Sequence, residues 1–463
     1  MKGRCAFQER FGAGGSDMVR IWGMAVGIFL CAALASQPRI AAAQPNCTAS
    51  TSPTDILAEP TTPKPALYAD YIDPRTGGCV KRIADAGAFG VDAIVPHYSQ
   101  LQAWNADQTK ILMASGHILN ASDFSLDHKH PSFGAPRWSP TDPRILYTTS
   151  GNSWIRYDIV SRATTTIRSF PEYTMLDRES SFEELPENDR YVLLEGVFAG
   201  GSSEIFLYDY KNNVKSATVP VSGPCGGADW IAMSPLGDYA LINWGGGGSA
   251  RGCGLEAYDL NMNYVGKVAL GHGHGDLTID KDGTQYYVVY AHDNYDNTAI
   301  TGPYVARYRI PRGYDDLRAG DSTGAVPLLR VDWSIGGHIS GQGIRAGFVV
   351  ASFSRDPSNP WLAFEGELVK IYLDSREFTP HVERLAHHRS DEAYVASQPS
   401  STCPMSAYWG QPHGTISRDG TMVLFGSTWG QNCTADSYIV RVPGGGGSAD
   451  ALAPAATTDL RPR

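Results

Sequence analysis

The chain has 463 residues, a formal charge of −10, 50 glycines, 29 prolines and only 19% charged residues. The acidic balance excludes a general nucleic-acid binder, which needs an excess of Lys and Arg, though a few arginines in a cleft could still receive an anionic substrate. Abundant Gly, Pro and aromatic residues suit many short strands joined by tight turns, and the length suits one large repeat architecture.

In chain order, residues 1 to 17 do not fit an export signal, which makes Met18 the expected start. Met18-Val19-Arg20 is a short basic region, Ile21 to Ala35 is apolar, and Ala41-Ala42-Ala43 before Gln44 fits a small-residue cleavage site, with Ala35 as the other option. The apolar run is shorter than the roughly 20 residues of a spanning helix. The expected product is therefore secreted or periplasmic, with no membrane contact once the signal is cleaved. Residues 1–43 are assigned to the signal peptide and the segment upstream of it, and 44–64, rich in Thr, Pro and Ser, to a flexible arm. The folded body takes 65–443, and 444–463, opening on Gly-Gly-Gly-Gly-Ser, reads as a flexible tail.

Within the body a polar turn leads repeatedly into an alternating apolar strand. The copies are Asn105-Ala-Asp107, Ser139-Pro-Thr-Asp142, Pro186-Glu-Asn-Asp189, Ser234-Pro-Leu-Gly237, Asp280-Lys-Asp282-Gly283 and Ser417-Arg-Asp419-Gly420. Asp and Gly serve there because hairpin turns need positive backbone angles. A further strand follows at Tyr157-Asp158, Tyr208-Asp209 and Tyr258-Asp259, and Tyr308 and Tyr372 keep the aromatic alone. A sixth unit, weaker at its turn, spans about Val331 to Asp374, and long insertions precede the turns of units six and seven. Units of two or three antiparallel strands, about 35 to 48 residues each, predict an all-β propeller of about seven blades, with Val80 to Ala84 available to close the ring.

Of eight cysteines, Cys5 and Cys31 fall in the removed segment, and six remain. Proximity pairs Cys225 with Cys253 and Cys403 with Cys433, leaving Cys47 for Cys79.

In a propeller the innermost strand of each blade runs along the central channel, so residues just before the turns gather at one end. Reading back from each turn gives His97-Tyr98, Arg137-Trp138, Glu179 or Glu183, Asp229-Trp230, His272 with His274 and Asp276, His338, and Gln411-Pro412-His413. Ionisable groups gathered away from water need a partner, a metal or a ligand. Two imidazoles and an amide oxygen suit a divalent cation such as manganese or zinc, and His338, Gln411 and His413 come from adjacent blades. Arg137 and Arg345 could clamp a carboxylate or form salt bridges; Trp104, Trp138, Trp230 and Trp409 could stack on sugars or pack between blades. His128, His130, His387 and His388 lie among charged residues and are expected to be solvated. Gly245 to Gly248 lacks the Lys and Ser/Thr of a phosphate loop.

The stretches Trp104-Asn-Ala-Asp107, Trp138-Ser-Pro-Thr-Asp142-Pro, Gly271-His-Gly-His274 with Asp282-Gly283, and Gln411-Pro-His413 with Asp419-Gly420 resemble the oligogalacturonate lyases and related seven-bladed propeller lyases, over about residues 75 to 442. TolB-like propellers share the first two. The resemblance implies a metal held by histidines and a glutamine from the last two blades. His338 and His413 match by position; Gln411 stands where the family usually has another histidine, and Tyr408 where its glutamine is expected. His274 resembles a family histidine near the reacting sugar. The implied reaction is β-elimination at a uronic acid, with His274 or His97 as base, Tyr98 as acid, and Arg137 or Arg345 neutralising the carboxylate. The substrate-binding residues would be Trp138, Asp229, Trp230 and Trp409, and the partner an anionic polysaccharide or oligosaccharide met by a monomer. Two other readings stand beside it. One is a glycoside hydrolase using Glu183 with Asp229 or Asp276, which needs carboxylates about 5 to 10 Å apart. The other is a binding or scaffolding propeller with no chemistry.

Overall fold

Apolar runs buried on both faces alternate along the chain with polar turns, and they fold into seven antiparallel sheets that follow one another in sequence. The computed structural model describes residues 47–444 except 178–184, 272, 292–303, 322, 333, 344 and 359. The expected export signal, most of the expected tail, and Glu179, Glu183 and His272 lie outside the described residues. Blades two to six each have four strands, one more than the sequence marks. The additional strand is the outermost, as in Ala163–Ser169, whose run of threonines is largely exposed and shows no alternation. Blade one keeps three paired strands, Lys110–Leu112, His117–Asn120 and Leu126–Lys129, and its inner position is a single bridge from Trp104 to Ile111.

The ring closes as the sequence predicts. Cys79–Ala84 pairs antiparallel with Asp436–Arg441, in the register Val80 to Val440 and Lys81 to Ile439, so the last blade takes its outer strands from the N-terminal side. The chain is thus a seven-bladed β-propeller. Its core is divided among the blade interfaces: Val288 and Tyr290 of the fifth blade pack with Val349, Phe353 and Val369 of the sixth. The repeated turns keep their geometry, with positive φ at Gln108, Asp189, Gly237, Gly283, Arg345 and Gly420. Arg345 fills that position in the sixth unit, which is why its turn is faint in the sequence.

All three disulfides form as paired above, Cys47–Cys79, Cys225–Cys253 and Cys403–Cys433. They fit an oxidising compartment. Among the described residues no helix is long and apolar enough to cross a membrane.

The Thr- and Pro-rich arm, expected to be loose, is strapped down over residues 47–62. Arg384 donates to the carbonyl of Asp55 at 2.6 Å, Arg389 to that of Pro60 at 2.7 Å, and the Trp429 indole to that of Thr62 at 3.1 Å. His387 and His388 are not solvated as the charged surroundings implied. Both are buried, as are His128 and His130. His387 donates from Nε2 to the Leu57 carbonyl and from Nδ1 to Asp73 at 3.1 Å, so the ring carries both protons. Burial pushes its pKa down, but the hydrogen bond and charge of Asp73 more than offset this and leave it above the usual 6.5. Burial likewise opposes the Asp73 charge, yet the hydrogen bond and charge of His387, with backbone N–H donors, hold its carboxyl far below 3.8.

The sign of the coupling fixes a pH window. The raised His387 pKa contributes fully below 6.5 and is lost as pH rises through the folded value, whereas the depressed Asp73 pKa contributes above 3.8 and is lost on acidification. Asp73→Asn is expected to lower stability by about 3 kcal/mol, as breaking a buried pair does. Thermal melts should show the largest deficit between about pH 4 and 6.5, narrowing on either side.

Candidate functional site

The first residues of the inner strands meet at one mouth of the channel. His338 is the second residue of the strand Gly337–Ser340, His274 immediately precedes Gly275–Ile279, and His413 lies two residues before Thr415–Ile416. Tyr98 comes from the segment leading into blade one. His413 has φ +42, a strained value for a non-glycine residue. Gly414 beside it has no room for a side chain, because a Cβ would sit 2.6 Å from Ser352 Oγ.

These residues form one connected group. His274 Nδ1 lies 3.2 Å from His338 Nδ1 and 3.3 Å from the Tyr98 hydroxyl. The His338 and His413 ring centroids are 4.8 Å apart, and Tyr98 lies 5.1 Å from each. Gln411 joins the two buried histidines: its Oε1 accepts from His338 Nε2 at 2.8 Å and from His413 Nε2 at 3.0 Å. The amide orientation is fixed, because Gln411 Nε2 donates to a carboxylate, Glu392 Oε1, at 2.7 Å.

Burial sets the protonation state here. It lowers the His338 pKa to about 4, with the charge of His274 acting in the same direction and the Gln411 hydrogen bond against it. Burial, followed by the charges of His338 and His274, also lowers His413 well below 6.5. Both rings are therefore neutral at pH 7, the form in which imidazole ligates metals.

Beside this group a cavity of about 170 Å³ is lined by Tyr98, Gln100, Asp229, Trp230, Gly273, His274 and Tyr408. Trp230 is 4% exposed, packs 5.7 Å from Tyr287, and its indole N–H has no hydrogen-bond partner among the described residues. Asp229 is exposed and accepts from Asn243 at 3.3 Å. Tyr408 is partly exposed, and burial of its hydroxyl raises the pKa to about 12, so it stays protonated.

Other candidates lie elsewhere. His97 is next to Tyr98 in the chain, but no described hydrogen bond or ring contact links it to His338. Burial, then the charges of His130 and Arg137, lowers its pKa to about 4. Arg137 is buried and donates to the Ala135 carbonyl at 3.4 Å. Trp138 is fully buried with its N–H on the Ala103 carbonyl at 2.9 Å, which makes it packing between blades. Trp409 packs in the cluster of Val95 and Val395, 6.4 Å from the His413 ring. Arg345 lies in the turn at the far end of the inner strand from His338 and pairs with Glu187 at 3.7 Å. Asp276 is fully buried, accepting from Gly341 N–H at 2.6 Å and from Gln342 at 3.0 Å, so its carboxylate is tied to the wall between blades.

Glu392 and Gln100 had no signal in the sequence reading. Glu392 sits in the long insertion before blade seven, on the short helix Glu392–Ser397, and only the fold brings it to Gln411.

No protein-family model matches the sequence, and no curated protein matches it. Solved structures share the fold. An oligogalacturonate lyase in complex with manganese is 13% identical, covers 86% of this chain and 99% of its own, and has a TM-score of 0.54. The oligogalacturonate lyase from Vibrio parahaemolyticus is 12% identical, covers 81% and 96%, and has the same TM-score of 0.54. The protein is accordingly a seven-bladed propeller with the fold of the oligogalacturonate lyases. At the level of fold it is similar to carbohydrate-acting propellers.

Ring-nitrogen spectra of the metal-free protein should find His338 neutral throughout pH 5.5 to 7.5, because its pKa is about 4. A half-protonation point near pH 6.5 would show that water reaches the ring.

Proposed function

We propose that the protein is an exported lyase that cleaves uronic-acid-containing glycans by β-elimination, with a divalent cation, manganese or zinc, at His338, Gln411 and His413. The observation that carries this reading is the Gln411 carbonyl oxygen held between two buried, neutral imidazoles, 2.8 and 3.0 Å from their Nε2 atoms. Two donors about 2.1 Å from one ion at a right angle stand about 3 Å apart, so these spacings suit neighbouring positions around a cation. Among the described residues no group of three His, Cys, Asp or Glu side chains is arranged to hold a metal; the proposed set depends on the amide as its third donor. His413 Nδ1, buried and without a described partner, can take up the ring proton when Nε2 gives it up. Manganese in the structurally similar lyase favours the same assignment.

A bound cation would neutralise the uronate carboxylate and so acidify the C5 proton. His274, exposed at the cavity and hydrogen-bonded to Tyr98, is positioned to accept that proton. Tyr98 would return a proton to the leaving glycosidic oxygen, and Tyr408 would offer its ring face to the sugar while the buried Trp230 forms part of the cavity wall. Asp229, on the cavity wall, would receive sugar hydroxyls. Arg137 and His97 are not among the residues that line the cavity. Export is favoured by the three disulfides and by the expected signal sequence.

Absorbance near 235 nm is expected to rise when the protein digests a uronate polysaccharide from a pectic, ulvan-like and glucuronan panel, and to stop rising with a chelator. No rise on any of them overturns the lyase reading within that panel; reducing ends released without absorbance would indicate a hydrolase. Loss of a charge-stabilising ligand removes several kcal/mol from the barrier reduction. His338→Ala and His413→Ala should therefore lower kcat/KM by about 100-fold or more. Arg345→Ala, at the other mouth, should leave it within about twofold.

A further inference from the structure

The Gln411 side chain has two orientations of nearly equal shape and opposite chemistry. With Oε1 toward His338 and His413 it offers an acceptor; flipped, it would point an NH₂ group at two ring nitrogens and could not ligate a cation. Nothing in the two imidazoles selects between these, because a neutral ring can present a donor or a bare nitrogen by shifting its proton. The selection comes from the other end of the amide, where Glu392 Oε1 lies 2.7 Å from Gln411 Nε2. An ionised carboxylate only accepts, so it holds the NH₂ group on its own side and leaves the oxygen facing the histidines.

Glu392 is itself held in place. It opens the helix Glu392–Ser397, whose cap Asp391 accepts from Tyr394 N–H at 2.8 Å. The Asp391 N–H donates to Thr428 Oγ1 at 2.9 Å, which ties the helix to the last blade. Gly410 packs against it so closely that a Cβ there would lie 3.2 Å from Glu392 Cα. The disulfide Cys403–Cys433 pins the same insertion to the segment that leads into the strand Asp436–Arg441. A partner this firmly supported can fix a ligand's orientation as well as contact it.

We propose that Glu392 is a positioning residue for the cation site: it sets the Gln411 amide with its oxygen toward His338 and His413, and the affinity for a divalent cation depends on that hydrogen bond. The inference rests on the cation reading above. It assigns a role to the inserted helix, which otherwise lies outside the repeat. The carboxylate acts through the amide and touches no substrate.

The test is a titration of the full-length protein with Mn²⁺, reading free ion by its electron paramagnetic resonance signal, with thermal melts to confirm folding. Glu392→Leu should weaken Mn²⁺ binding by about 10- to 100-fold, the usual cost of losing such a partner. Glu392→Gln, which can still accept from Gln411 but can also donate to its flipped form, should fall between the native protein and the leucine variant. Glu392→Asp keeps the charge but shortens the reach and should fall with the leucine variant, which covers the case in which leucine disturbs the helix. Native affinity in Glu392→Leu, or equal loss in Glu392→Gln and Glu392→Leu, overturns the positioning role while leaving the cation reading intact. Absence of Mn²⁺ binding by the native protein, or binding unchanged in His338→Ala, overturns the cation reading and this inference with it.

Discussion

The pairing of Cys79–Ala84 with Asp436–Arg441 holds the ring shut, and the rest of the structure depends on it. Each blade has two faces to bury, and it buries them against its neighbours. Without that pairing the first and last blades would each present an apolar face to water. The closing strand comes from the N-terminal side, so the ladder Val80 to Val440 cannot part without also exposing Phe425 and Tyr438 of the last blade. Cys47–Cys79 joins the same strand to the strap, which the buried Arg384, His387 and Arg389 hold against the sixth and seventh blades. Closure is thus secured three times, by a ladder, a covalent bond and a buried charge network.

A closed ring also brings the inner strands together. Tyr98 enters from the first blade, His274 from the fifth, His338 from the sixth, and Gln411 and His413 from the seventh, so the group spans the seam. Opening the seam would separate Tyr98 from His274 before it disturbed any single blade. The polar atoms at this mouth meet the usual rule that buried groups need partners, in an incomplete way. His338 and His413 each have one nitrogen on Gln411, while His413 Nδ1 is left without a described partner beside a strained backbone. Strain and an orphaned nitrogen thus meet in one residue.

Much of this was legible in the sequence because the signals are local. A residue in the left-handed region must be tolerated at each inner turn, so Asp189, Gly237, Gly283 and Gly420 mark blades directly, and the cysteines pair with neighbours in the same repeat. The convergence of His274, His338, Gln411 and His413 follows from their common place before those turns. What was not legible depends on contacts across the fold. The outermost strand of the second blade lacks alternation because both sides of Ala163–Ser169 meet water. His387 and His388 look solvated beside Arg389 and Asp391, yet the strap covers His387 while Asp73 supplies its charge, and His388 is buried on the Phe353 carbonyl. Arg345 was expected to clamp a carboxylate beside the histidines or to form a salt bridge, and the structure puts it at the opposite mouth, paired with Glu187. Glu392 meets Gln411 from an insertion that belongs to no repeat, so periodicity could not have found it.

Whether His338, Gln411 and His413 share one cation, as proposed, is tested most directly by a crystal grown with Mn²⁺ and an anomalous difference map at the manganese absorption edge. A shared cation would give a single peak within about 2.4 Å of His338 Nε2, Gln411 Oε1 and His413 Nε2 together. A map with no peak there, or with manganese bound only at surface carboxylates, would contradict it.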